Sequence, residues 1–309
     1  WLGDVQSEPL FTFLMAGGLL FFSRMVVAES ASRWDAALAG VLFGLASLTR
    51  PTAWWVALAL SMAVIVFRID HRPWVRSKKR VLFLIACLVL TIAPWTLSNV
   101  RKTGGFILLN DAGGYAFYVG NHPLNLGLYE GSDPRVQADI LKSELQFRLT
   151  REKTEEWQRT HGYWSLPIQE RERLWLHAGW ENLRAEPWAT TRLWGYKALD
   201  FWRLWLHPLA YPRAQVILSS LVLVPLYALA SWGALLIKRE RSGRRFLLLF
   251  AVLCMAVTGI HMLTHTMLRF RLPYVEPYLS ILAGPGMLSL LATMRKAGHR
   301  VSACRINAP

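Results

Sequence analysis

Acidic residues are scarce in this chain: 20 Asp and Glu stand against 35 Lys and Arg, a formal net charge of +15. Cysteine is scarcer still. Cys87 and Cys254 lie inside apolar runs and Cys304 in a basic stretch, so no natural disulfide pair and no paired CxxC site is available. The glycine pattern of dinucleotide-binding folds, the P-loop and the H-E-x-x-H zinc motif are all missing, which removes the enzyme classes built on them. There is no internal repeat and no low-complexity linker. An initiator Met and a basic leader are also lacking, since the chain opens at Trp1. It therefore reads as a piece whose beginning is missing.

What is present is apolar. Of 309 residues 53% are hydrophobic, fifteen are Trp, and the mean hydropathy is +0.27. The apolar residues gather into runs near the ~20 residues that cross a bilayer core. Seven such segments occur, at 9–27, 35–49, 52–67, 81–98, 214–237, 246–264 and 272–291. They predict an all-α polytopic membrane protein of about seven transmembrane helices. The division is a membrane region of four helices over 1–98, an extracytoplasmic segment over 99–213, mixed but mainly helical, a membrane region of three helices over 214–292, and a basic cytoplasmic tail over 293–309. The second and third spans are short and parted by Arg50-Pro51, the signature of a tight helical hairpin. Pro94 and Pro225 fall inside spans, where neighbouring groups can satisfy the freed carbonyls.

The basic residues set the orientation. If the spans alternate, 17 of the 35 Lys and Arg fall in loops and a tail on one side, which the positive-inside rule makes cytoplasmic. The charge excess is then a topology signal, and nucleic acid is not expected as a partner. The other side receives residues 99–213, with 15 basic against 13 acidic residues, a nearly balanced surface.

That outer segment reads as a β-like stretch over Phe106–Asn110, then a Gly- and aromatic-rich loop over Asp111–Pro123. Helical regions follow around Val136–Arg159 and from Pro167 to Glu186-Pro187. Trp188–Trp205 interleaves aromatic and basic residues. It is either a helix lying in the membrane interface or a surface helix packed on the membrane region.

Ionisable residues at membrane depth are costly and point to function. Arg50, Arg269, Arg271 and Glu8 all fall near the outer face. Three arginines on one side suit a phosphate or pyrophosphate, because Arg offers a planar fork of donors and stays charged when partly dehydrated. Each taken alone could equally anchor a helix end. Glu276 is either a partner of one of the arginines or a pocket residue. His261 and His265 share a helical face but show no clear third ligand, so no metal is expected.

Several short motifs, in this order and at these places relative to the spans, resemble the family 39-like, GT-C class of membrane glycosyltransferases. They are Ser7-Glu-Pro-Leu-Phe11, Gly44-Leu-Ala-Ser-Leu-Thr-Arg-Pro51 and Ala93-Pro-Trp-Thr-Leu-Ser-Asn99, then Gly113-Gly-Tyr-Ala-Phe-Tyr-Val-Gly-Asn-His-Pro123 and Arg269-Phe-Arg-Leu-Pro-Tyr274. The class includes dolichyl-phosphate-mannose–protein mannosyltransferases and bacterial aminoarabinose and lipopolysaccharide-core sugar transferases.

The resemblance implies an inverting transfer of a sugar from a polyprenyl-phosphate donor to a lipid, glycan or protein acceptor, outside a bacterial inner membrane. It places Arg50, Arg269 and Arg271 at the donor phosphate, with Tyr274 as a hydrogen-bond donor beside them and Glu8 shaping the pocket, to which Glu276 also belongs if it is not paired with an arginine. Tyr115, Tyr118, Asn121 and His122 form either an acceptor loop or a structural turn. No cofactor is implied. The family's acidic catalytic residue lies upstream of the region matched here, so the chain as given is expected to lack its base and to be inactive. Two other readings use the same arginines: a transporter or flippase of an anionic lipid-linked substrate, and an oligosaccharide ligase or polymerase of the same class.

Overall fold

The computed structural model describes residues 8–70, 72–110, 112–121, 155–156, 158–162, 165–206, 212–264, 271 and 273–306, without the side chains of Val119 and residues 293–306. The regular elements among them are helices: α1 Glu8–Val27, α2 Arg33–Thr49, α3 Thr52–Val66, α4 Trp74–Thr103, α5 Gly113–Gly120, α6 Ile168–Ala185, α7 Pro187–Phe201, α8 Arg213–Ile237, α9 Arg241–Leu263 and α10 Glu276–Ile306.

Local chemistry sets the boundaries. Ser32 opens α2 with a capping box: its hydroxyl accepts from Trp34 N (3.1 Å), and Asp35 accepts from Ser32 N (2.7 Å). Asp35 also accepts from Arg24 Nε at 3.2 Å, which ties the end of α1 to the start of α2. Arg50 ends α2 in an extended conformation (φ −145°, ψ 117°), as the residue before a proline prefers. Pro51 then starts α3, so the expected Arg50-Pro51 hairpin is present. The last segment begins later than its apolar run. Arg271 and residues 273–275 lie in turns in which Tyr274 N and Val275 N both donate to Arg271 O (3.0 and 2.9 Å), and α10 starts at Glu276 with Pro277 in its first turn. It continues helical through the basic tail to Ile306.

The bundle packs α2 against α1, α3 and α4, and α9 against α1, α3 and α7, while α8 pairs with α10 and α5 with α6. Phe11, Met15, Phe22, Phe43, Leu60 and Leu84 are buried in one continuous core. The α2–α4 approach is close enough that a Cβ on Gly40 would lie 2.3 Å from the Leu84 carbonyl. Small residues at such crossings let backbones meet where lipid offers no hydrophobic drive between helices.

Each of the seven apolar segments carries a helix, and among the described residues four helices, α1, α4, α8 and α9, are long and apolar enough to cross a membrane. Ile217, Leu218, Leu221 and Val222 on α8 are exposed, a face that suits hydrocarbon rather than water. α3, at 15 residues, is apolar but short, spanning roughly 22 Å at the helical rise.

Two expectations are corrected. The β-like stretch over Phe106–Asn110 is not a strand, because its carbonyls are claimed by side chains of α4. Trp95 Nε1 donates to Leu109 O (2.8 Å), Thr96 Oγ1 to Leu108 O (2.7 Å) and Asn99 Nδ2 to Ile107 O (3.2 Å). The Gly- and aromatic-rich loop is in part a helix, α5, buried on one side against α6. Of the helical region expected around Val136–Arg159, residues 136–154 lie outside the described residues.

Candidate functional site

Arg50 closes the α2–α3 hairpin at the end of the bundle that also holds the start of α1. A cleft of about 350 Å³ opens beside it. It is lined by Arg50, Pro51, Thr52 and Trp55 of the hairpin and by Ile260, His261 and Thr264 at the end of α9. Asn110, Ala112, Gly113 and Ala116 contribute the start of α5 and the residues before it, and Tyr274 completes the lining.

Arg50 is held from two directions. Its Nη2 donates to Glu8 in an ion pair at the start of α1, and its guanidinium stands 5.6 Å from the centre of the Phe11 ring. Tyr274 is buried, meets Phe11 edge-on at 5.3 Å, and shares a hydrogen bond with the Thr52 hydroxyl. Glu8, Arg50 and Tyr274, placed in one pocket by the sequence, are therefore neighbours across three elements. The side chain of Arg50 is 22% exposed. A carboxylate on one edge and a ring on one face fix its orientation while it still lines the cleft.

Arg271 has a different setting. It is 0% exposed and does not line the cleft. Its Nε donates to Glu276 (2.6 Å), and its Nη1 donates to the carbonyls of Phe201 (2.9 Å) and Arg203 (3.1 Å). Its guanidinium stands over Tyr227 (5.1 Å) and Trp202 (5.8 Å). Arg271 and Glu276 thus form a buried pair that binds the end of α7 to the start of α10. Arg269, His122 and His265 lie outside the described residues.

The aromatic side chains of α5 pack inward. Tyr118 is buried against Trp175 of α6 (ring centres 4.8 Å apart), and Tyr115, 40% exposed, meets the same Trp edge-on at 5.3 Å. Asn121 is buried and engaged through both ends of its amide: Nδ2 donates to Phe117 O (2.8 Å) and Leu263 O (2.7 Å), and Oδ1 accepts from Trp194 Nε1 (2.9 Å).

One residue that sequence reasoning passed over is Lys197 of α7, fully buried with its Nζ on three backbone carbonyls. α7 runs along the end of the bundle and is not a spanning helix. Burial lowers the Lys197 ammonium to about 7, a desolvation cost that the three carbonyl acceptors offset. The signal was present in the spacing: Thr190, Lys197 and Phe201 are the buried positions of α7, and they make one helical stripe that includes a lysine.

His261 is buried and stacks on Phe201 (5.4 Å, 22° between planes) while lining the cleft. Among the described residues no cluster of three or more His, Cys, Asp or Glu could hold a metal ion. The fold and site define an all-helical, membrane-embedded protein with an arginine-bearing cleft at one end of its bundle. Comparison with protein families, curated proteins and solved structures finds no match.

Proposed function

We propose that this protein is a membrane glycosyltransferase of GT-C-like fold that takes a sugar from a polyprenyl-phosphate donor and passes it to a lipid, glycan or protein acceptor on the extracytoplasmic side of a bacterial inner membrane. The observation that carries this reading is Arg50: a partly exposed guanidinium, braced by Glu8 and Phe11, at the mouth of a cleft where the helices end. In this reading all seven apolar helices cross or enter the membrane, with α2 and α3 reaching only part of the way and leaving the cleft at their shared end.

The chemistry is the one the resemblance implies. The acceptor hydroxyl attacks the anomeric carbon and gives its proton to a carboxylate base, the bond to the phosphate oxygen breaks, and the phosphate leaves with the electron pair. A cation at that oxygen stabilises the departing charge without needing to move during the reaction. In this reading Arg50 supplies that cation. Thr52 and Tyr274 add hydroxyl groups next to it, and Trp55, exposed at the cleft, offers a face for a sugar ring or the first isoprene unit. The general base is not assigned to a residue of this chain, because Glu8 is engaged in orienting Arg50. Arg271 is a brace rather than a phosphate ligand.

Binding of a labelled polyprenyl-phosphate sugar to detergent-purified protein tests the proposal. Arg50→Ala is expected to weaken binding by about tenfold or more, the scale of one charge-assisted hydrogen-bonded pair. Arg50→Lys should restore part of it, because it keeps the charge and loses the fork. Equal affinity for all three proteins would remove the donor-phosphate role.

A further inference from the structure

The end of a helix leaves carbonyl groups that no later turn can serve. At the end of α9 these are met by donors from two other elements. Lys197 Nζ donates to Met262 O (2.9 Å) and Thr264 O (2.6 Å), and also to Gly120 O at the end of α5 (2.6 Å). Asn121 supplies Leu263 O (2.7 Å), and Thr264 turns back on Ile260 O through its own N (3.1 Å) and hydroxyl (2.9 Å). Trp194 of α7 in turn holds the Asn121 amide. The two helix ends meet so closely that a Cβ on Gly120 would lie 1.8 Å from the Thr264 carbonyl, so this position admits glycine alone.

The ends joined here are those that wall the cleft. Gly113 and Ala116 face it from α5, and Ile260, His261 and Thr264 face it from α9. Nothing else described at this junction matches the donor count of the lysine: three N–H groups on a long stem serve three acceptors, at two helix C-termini whose dipoles favour a cation.

We propose that Lys197 and Asn121 form a clasp that closes the outer wall of the cleft, so that the width of the cleft, and what it admits, depends on the hold of α7 on the ends of α5 and α9. With the clasp in place the two ends stay in contact and the cleft keeps its shape. With it removed, three or four carbonyls lose their donors, the ends of α5 and α9 part, and the cleft opens outward. The clasp itself stands on the contacts above, whereas its effect on ligand binding rests on the proposed donor site.

Amide hydrogen exchange on the purified full chain, read by mass spectrometry, tests this. In Lys197→Met, exchange over residues 113–121 and 258–264 is expected to speed up by about tenfold or more, the scale of lost hydrogen bonds to a charged group, while α2 over 36–47 keeps its wild-type protection. Unchanged exchange at both segments would overturn the clasp. Should Lys197→Met lose protection in α2 as well, the milder Asn121→Ala decides: faster exchange confined to the same two segments supports the proposal, and wild-type exchange there overturns it. Undecaprenyl phosphate binding to the same variants separates the two readings. Faster exchange with weaker binding supports clasp and donor site together, and faster exchange with unaltered binding keeps the hydrogen-bonded junction but overturns its control of what the cleft admits, the donor site itself being judged by Arg50→Ala.

Discussion

Two arginines near one end of the bundle show how the same side chain takes opposite parts according to burial. Arg50 is partly exposed, lines the cleft, and is paired with a carboxylate that is itself partly exposed. Arg271 has no exposed surface and carries the carbonyls of Phe201 and Arg203 together with Glu276. Among the described residues its Nη2 and the Oε2 of Glu276 find no hydrogen-bond partner, so the described contacts hold the pair at one edge only. Removing one member leaves the other as an uncompensated buried charge. Arg271→Ala is therefore expected to destabilise the protein by roughly 3–5 kcal/mol. The double variant Arg271→Met with Glu276→Met should recover most of that loss, because the charge goes with its partner. Thermal unfolding in detergent checks both, and a shift in Arg271→Ala no larger than that of the exposed Arg192→Ala would show that the pair carries no such weight.

Elements depend on contacts that are two or three residues wide. The crossing of α2 on α4 rests on Gly40, where the backbone of α4 stands in the place of a side chain. Gly40→Leu forces the two helices apart and is expected to cost about 1–3 kcal/mol, with loss of the tight α2–α4 contact as the cause. The same change at exposed Gly195, where no atom lies within 4 Å of an added Cβ, should leave stability within about 0.5 kcal/mol of wild type, a contrast that unfolding measurements would read directly. The helices themselves were legible in the sequence: runs of apolar residues, Pro167 and Pro51 at helix starts, and Arg50 at a hairpin corner all fall where the spacing puts them. Glu8, Arg50 and Tyr274 were legible as a group for the same reason, since all three flank span ends. Less visible were features that depend on pairing between distant segments. The Phe106–Asn110 stretch has strand composition, yet Trp95, Thr96 and Asn99 take its carbonyls, and no local pattern announces that. Asn121 reads as an acceptor-loop or turn residue and Arg271 as a phosphate-binding arginine until the packing of α7 on the end of α9 and the start of α10 is seen.

At the scale of the whole molecule, charge and aromatic residues sort to the two ends of the bundle. One end carries Arg24 with Asp35, Arg72 on the carbonyls of Met25 and Ala28, and Arg80 on that of Ala31. The other carries Arg50 with Glu8, the cleft, α5 packed on α6, and α7 packed on α9. Trp34 and Trp74 are exposed at the first end, Trp55 and Trp95 at the second, as expected of rings at two membrane interfaces. Under the proposed function the basic end faces the cytoplasm and the cleft the extracytoplasmic side. The measurement that tests the account most directly is photo-crosslinking with a polyprenyl-phosphate sugar carrying a diazirine on its first isoprene unit, followed by mapping of the labelled peptides. The account predicts label on the cleft walls, around Trp55, Ala116 and His261, competed away by unlabelled donor and lost in Arg50→Ala. Label that falls outside these walls, or that persists undiminished in Arg50→Ala, would contradict it.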